Sequence, residues 1–143
     1  MKRWQQLMTQ GNQRYADKKW HEALSYYYQA ITSLEKVVAI ESSETQQALQ
    51  AWICGYHNVA TTYEQQGLIE RSRDTLVIPF RSMLTLSYNP QASSEMKLIA
   101  NQALKITLPP LLAFANKHPN EFQFINNIIE QLNVYNRSGH TQH

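Results

Sequence analysis

Cys54 and His57 are the two side chains whose types and spacing could do chemistry together. They stand three residues apart, which on a helix puts both on one face. A thiolate and an imidazole so placed could share a metal ion, or act as a nucleophile and its base. No second pair of ligands and no partner motif accompanies them. The sequence therefore favours a structural interpretation, with a half-buried thiol beside a groove histidine.

The other residues that enzymes and metal sites use form no recognisable motif. Acidic side chains number 11 against 13 Lys and Arg, and no pair of carboxylates can be assigned to a cleft. The sequence contains no Gly-rich phosphate loop, no HExxH and no GxSxG. We therefore expect a protein that is not an enzyme and that holds no metal ion and no cofactor.

Length and composition restrict the class of protein further. A chain of 143 residues is enough for one domain, and its net charge of +2 is too small to indicate a nucleic-acid or anionic-membrane surface. Cys54 is the single cysteine, which suits a reducing compartment. The start of the chain is polar where a secretory signal would be apolar, and the longest apolar stretch, 108–115, is too short to span a bilayer. We expect a cytoplasmic protein that binds neither nucleic acid nor membrane.

Apolar residues recur at helical spacing along most of the chain. The clearest stripe predicts a second helix from Trp20 to about Ala39. Ser43 and Gln46 predict a capping box at the start of the third helix, and Gly67 predicts the turn that follows it.

Prolines and serines mark the later boundaries. Pro79 predicts a kink or an early end in the fourth helix, and Ser93 or Ser94 caps the fifth. Pro109-Pro110 predicts that a short sixth helix begins there, after a fifth helix that ends near Thr107. The expected fold class is all-α, with about seven helices in which neighbours along the chain run antiparallel. Residues 1–136 are expected to form a single domain and residues 137–143 a flexible tail.

The first two helices and the next two each match part of a known repeat. In the second helix the matching residues are Ala23, Tyr27 and Ala30, and in the third they are Tyr56, Val59, Ala60 and Tyr63, with Gly67 at the turn. The chain thus resembles a tetratricopeptide repeat (TPR) protein over about residues 4–84. The resemblance implies antiparallel helical hairpins stacked as a short right-handed α-solenoid, closed by a C-terminal capping helix.

Several residues depart from the TPR pattern. Gln10 stands at an apolar position, Arg14 stands where an aromatic residue is usual, and Pro79 replaces a small residue. Gly11 and Ala60, which occupy equivalent positions, lie further apart than the ~34 residues of the standard repeat. The chain is therefore interpreted as a divergent, extended TPR-like domain, whose helices after Ser94 form a degenerate third pair and a cap.

The resemblance also implies a concave groove that binds peptides. Carboxylate-clamp members of the TPR family grip a peptide with asparagines from adjacent repeats, and Asn12 and Asn58 stand at those two positions. Met8 replaces the first clamp lysine, so an acidic C-terminus is not the expected ligand. The full set of expected groove residues is Met8, Asn12, Tyr15, His57, Asn58, Thr61, Lys97 and Asn101.

The sequence favours a non-catalytic module that binds a peptide or helix of another protein, either as an adaptor or as a chaperone. The alternative is a homodimerising structural or regulatory protein without a groove. The Tyr26-Tyr27-Tyr28 run supports that alternative, because it places at least one large ring off the core stripe.

Overall fold

The computed structural model describes the backbone of residues 1–141 and the side chains of residues 1–134. Within the described backbone every regular element is a helix. The α-helices are α1 (Arg3–Ala16), α2 (Trp20–Val38), α3 (Thr45–Gln65), α4 (Ile69–Ser87), α5 (Ser94–Lys117) and α6 (Phe122–Thr141), with a 3₁₀ turn at Pro119–Glu121. The expectation of an all-α fold is confirmed for this part of the chain.

The chain forms two compact units, one from Met1 to Leu76 and one from Val77 onward. In the first unit α1 packs on α2 and α2 packs on α3. Their shared core contains Leu7, Leu24, Tyr27, Ile31, Leu34 and Ile53. Ser72, near the start of α4, donates a buried hydrogen bond of 2.7 Å to the backbone carbonyl of Ala60 on α3.

In the second unit α5 packs on α6. Its buried side chains include Phe80, Leu84, Leu111, Phe114, Ile125 and Ile128. Helix α6 continues to Thr141, beyond the predicted end of the domain at residue 136. The flexibility expected of residues 137–143 stays a prediction, and residues 142–143 lie outside the described part of the chain.

The expected helix break at Pro109-Pro110 is wrong, and the described chain has six α-helices instead of about seven. Both prolines lie inside α5. Proline removes the hydrogen bond to the carbonyl four residues earlier, here the carbonyls of Lys105 and Ile106. Both of these residues are exposed, so water can satisfy the two carbonyls and the helix continues. Pro79 likewise lies inside α4 without ending it.

Of the two expected serine caps, the one before α5 is confirmed and the one before α3 is wrong. Ser93 caps α5, where its hydroxyl accepts from the Met96 N–H at 3.1 Å. The capping box assigned to Ser43 and Gln46 is wrong, because α3 begins at Thr45. The Thr45 hydroxyl is buried and accepts from the backbone N–H of Ser42 at 2.9 Å, which closes the turn before the helix.

Candidate functional site

Four of the expected groove residues surround one depression in the first unit. Asn12 and Tyr15 reach it from α1, Asn58 and Thr61 reach it from α3, and Tyr27 reaches it from α2. Its volume is about 330 Å³, at the small end of the ~300–1,000 Å³ usual for ligand pockets. The predicted pair of asparagines therefore lies at a single surface site.

Close contact between α1 and α2 forms one wall of the depression. A Cβ atom at Gly11 would lie 2.6 Å from Cε1 and 2.7 Å from Cδ1 of Tyr27, so the tyrosine ring lies directly on the α1 backbone. This position brings the Tyr27 hydroxyl to Asn12, the residue after Gly11, where it donates to Oδ1 at 2.7 Å. The helix contact thus fixes one side of the site.

A second glycine permits the approach of α3. A Cβ at Gly55 would lie 2.8 Å from Cγ1 of Ile31 and 3.3 Å from Cε of Met8. One turn further along α3, Nδ2 of Asn58 lies 3.9 Å from Sδ of Met8 and donates a weak hydrogen bond to it. Met8 therefore supports Asn58 from beside the depression and does not line it.

The other two hydroxyl residues of the site, Tyr15 and Thr61, are held by contacts within the first unit. The Tyr15 ring packs edge-on against Trp20, with centroids 5.2 Å apart. The Thr61 hydroxyl donates to the backbone carbonyl of His57 at 2.9 Å, so its lone pairs remain available as acceptors.

No charged side chain is among the residues that line this depression. Burial, with a smaller contribution from Tyr15, raises the pKa of Tyr27 to about 12, so its hydroxyl keeps its proton at neutral pH. The site consists of neutral amides and hydroxyls, which can donate and accept hydrogen bonds without the desolvation cost of a charge. This chemistry suits binding better than acid–base catalysis.

Cys54 and His57 differ in their exposure. Cys54 is exposed, so the expected half-buried thiol is wrong. His57 is half-buried, and its Nε2 atom is buried with no hydrogen-bond partner among the described residues. Burial lowers the pKa of His57. His57 does not line the depression, and the described residues contain no group of three His, Cys, Asp or Glu side chains that could hold a metal ion.

The last two expected groove residues, Lys97 and Asn101, lie on α5 in the second unit. Lys97 is half-buried and Asn101 is exposed. All residues that line the depression belong to the first unit.

The repeat pattern includes Tyr27 as a match in the second helix and not as a groove residue. Its ring is buried, but its hydroxyl reaches the site. An asparagine directly after Gly11 is the signal that could have shown this, because a ring that packs on the glycine backbone brings its hydroxyl near residue 12.

A second, larger depression of about 400 Å³ lies between α1 and α2. It is open and carries two cationic residues, and its lining is Arg3, Leu7, Tyr28, Gln29, Thr32, Ser33 and Lys36. No motif in the sequence indicates this surface. Unlike the first depression, it is lined in part by charged side chains.

Among the described helices, α5 is long and apolar enough to cross a membrane by length and composition, with a mean hydropathy of 1.3 over its best window. The core helix of a soluble protein passes the same test, and 39% of this window is buried in the fold. This is weak support for a membrane span.

Comparison with known proteins gives a family without an assigned activity. A family model described as "Protein of unknown function (DUF2753)" matches residues 2–140, so the chain belongs to that family. No curated protein and no solved structure matches the chain.

Proposed function

We propose that this member of DUF2753 is a non-catalytic protein-interaction module that binds a peptide segment of another protein in the depression between α1 and α3. The observation that carries the proposal is the convergence of Asn12, Tyr15, Asn58 and Thr61 on one uncharged surface site. Side-chain amides pair well with peptide groups, because each amide both donates and accepts.

The proposal includes a TPR-like arrangement of the helices. It is supported by the packing of α1 on α2 and of α2 on α3, in which Gly11 lies on Tyr27 and Gly55 lies on Ile31. In this reading the chain is a short right-handed α-solenoid with α6 as its cap. The module acts in the cytoplasm as an adaptor or as a chaperone for an exported or unfolded segment, since both roles use the same groove.

The absence of charge in the depression argues against a carboxylate clamp. Such a site needs cations to compensate a buried carboxylate, yet Met8 stands where the first lysine is expected and the lining residues are neutral. The ligand is therefore an internal or uncharged segment rather than an acidic C-terminus.

The proposal is tested by selection from a random peptide library on the immobilised protein. The wild type should retain a family of peptides that the Asn12→Ala, Asn58→Ala double variant loses. The matched control is Gln13→Ala, Gln65→Ala, which removes two exposed amides from the same helices outside the depression. Equal retention by the Asn12, Asn58 variant would move binding to another surface.

Self-association is the second candidate, and a feature of α5 favours it. Leu98, Ile106 and Leu112 are 56%, 46% and 49% exposed, and exposed apolar side chains of this kind mark interaction surfaces. Light scattering decides this candidate. A dimer mass that falls to the monomer mass of 16.6 kDa in Leu98→Glu, Leu112→Glu would support it, and a wild-type monomer would exclude it.

A further inference from the structure

The hydrogen bond between Tyr27 and Asn12 determines which part of the Asn12 amide is left for a ligand. A side-chain amide has an oxygen that accepts and an NH₂ group that donates. The Tyr27 hydroxyl donates to the oxygen at 2.7 Å, so the NH₂ group remains. The ring of Tyr27 is 2% exposed and lies on Gly11, which keeps the hydroxyl in place.

Asn58 has the opposite polarity. Its NH₂ group donates to Sδ of Met8, which leaves Oδ1 as an acceptor without a partner among the described side chains. Thr61, on the same helix, has already used its proton on the His57 carbonyl. The depression therefore offers the Asn12 donor from α1 and acceptors from α3, together with the Tyr15 hydroxyl, which can donate or accept.

We propose that Tyr27 is a positioning residue that holds the Asn12 NH₂ group toward the depression, so that the site takes an uncharged amide group in one orientation. The ligand carbonyl accepts from Asn12 and the ligand N–H donates to Asn58. A carboxylate has acceptors only, so it would face Oδ1 of Asn58 with no cation in the lining to compensate it. The ligand orientation rests on the proposed function, whereas the role of Tyr27 in the free protein does not.

The role of Tyr27 is tested first without ligand, by nuclear magnetic resonance of the ¹⁵N-labelled protein. In Tyr27→Phe the side-chain NH₂ resonances of Asn12 should shift and lose order, while those of Asn58 stay in place. Tyr28→Phe is the matched control, because the neighbouring Tyr28 hydroxyl pairs with Tyr63 instead of Asn12. Unchanged Asn12 resonances in Tyr27→Phe would overturn the proposal.

The ligand orientation is tested with three probes that differ in one group. These are N-methylacetamide, methyl acetate and acetate, so that each probe carries a single amide, ester or carboxylate group. The wild type should bind the amide about tenfold more tightly than the ester, because the ester leaves the Asn58 acceptor unsatisfied. It should bind the carboxylate more weakly still. Tyr27→Phe should bind the amide about threefold to tenfold more weakly, since Asn12 is no longer held in advance.

The outcomes separate this proposal from the proposed function. Equal binding of amide, ester and carboxylate would overturn the ligand orientation even if library peptides still depend on Asn12 and Asn58. Loss of all peptide binding would overturn the proposed function and the ligand orientation, while the resonances of the free protein would still decide the role of Tyr27. Should Tyr27→Phe fail to fold, Asn12→Asp keeps an acceptor for Tyr27 but removes the donor, and undiminished amide binding by that variant would overturn the proposal.

Discussion

At the scale of single residues, Gly11 lies in closer contact with a neighbouring helix than Gly55 or Gly67 does. Its missing Cβ would lie 2.6 Å from the Tyr27 ring. Alanine normally stabilises a helix relative to glycine by about 0.5–1 kcal/mol. At this position we expect Gly11→Ala to lower the free energy of unfolding by about 1–3 kcal/mol, because the ring or the helix must move.

Urea denaturation measures the change in the free energy of unfolding caused by Gly11→Ala. The sign of that change tests the close contact. Gln13→Ala is the control, since Gln13 is exposed on the same helix. A stabilised Gly11→Ala protein would contradict the close contact between α1 and α2.

His57 gives a prediction about pH. Burial lowers the pKa of this imidazole in the folded protein below its unfolded value of about 6.5. As the pH falls below that value the unfolded chain takes up the proton more readily, so stability present above about pH 6.5 is lost toward lower pH. His57→Phe keeps a ring without the buried, unpartnered Nε2 atom and should lose less stability between about pH 7 and about pH 5.

Thermal melts across this pH range measure the His57 effect. His21→Gln removes an exposed histidine and should follow the wild type. A melting temperature of His57→Phe that falls as steeply as that of the wild type would show that other groups cause the loss.

The sequence predicts which residues lie at the site, but it does not predict the hydrogen bonds between them. Asn12, Tyr15, Asn58 and Thr61 follow from matching a repeat pattern, and the structure brings them to one depression. The Tyr27–Asn12 hydrogen bond depends on how close α1 and α2 approach. Such a distance is a property of the packed pair and is not encoded in either helix alone.

At the scale of the helices, α1 and α3 end in the same backbone motif with different residues. Lys19 donates to the Arg14 carbonyl and Leu68 to the Tyr63 carbonyl, both at 2.9 Å. The preceding residue has a positive φ in each case, 58° at Lys18 and 77° at Gly67. This is the Schellman arrangement, which favours glycine because other residues strain in the left-handed region.

The shared motif predicts opposite effects at the two ends. Lys18→Gly should raise the free energy of unfolding by about 0.5–1 kcal/mol, and Gly67→Ala should lower it by about 1 kcal/mol. A Cβ at Gly67 would meet no atom within 4 Å, so its effect is purely one of backbone conformation. Denaturant titration measures both variants. Lys19→Gly is the control, since Lys19 has a φ of −91° and should gain nothing; equal stabilisation by both glycines would refute the strain at Lys18.

The limits of sequence reasoning at this scale are visible at Pro109 and at Ser43. Helix periodicity located most boundaries because one buried face repeats every three or four residues. Proline and serine signals describe local preferences, which the surroundings of a position can override. The Pro109-Pro110 pair stays helical where the freed carbonyls belong to exposed residues, and the buried Thr45 hydroxyl takes the place expected of Ser43.

At the scale of the whole molecule, the two surface depressions differ in the charge of their lining side chains. The net charge of +2 is small, and the depression at Asn12 and Asn58 has no charged lining residue. The second depression has Arg3 and Lys36. A ligand held by these cations would be weakened by salt, because screening shortens the reach of exposed charges.

Salt dependence therefore identifies which depression binds the selected peptides. We expect their affinity for the wild type to change by less than about twofold between about 0.05 M and about 0.5 M salt, and to be unaffected in Arg3→Gln, Lys36→Gln. Isothermal titration calorimetry measures both quantities. A steep fall in affinity with salt that disappears in the double variant would place binding at the cationic depression. Hydrogen bonds to the uncharged amides of Asn12 and Asn58 are little affected by ionic screening.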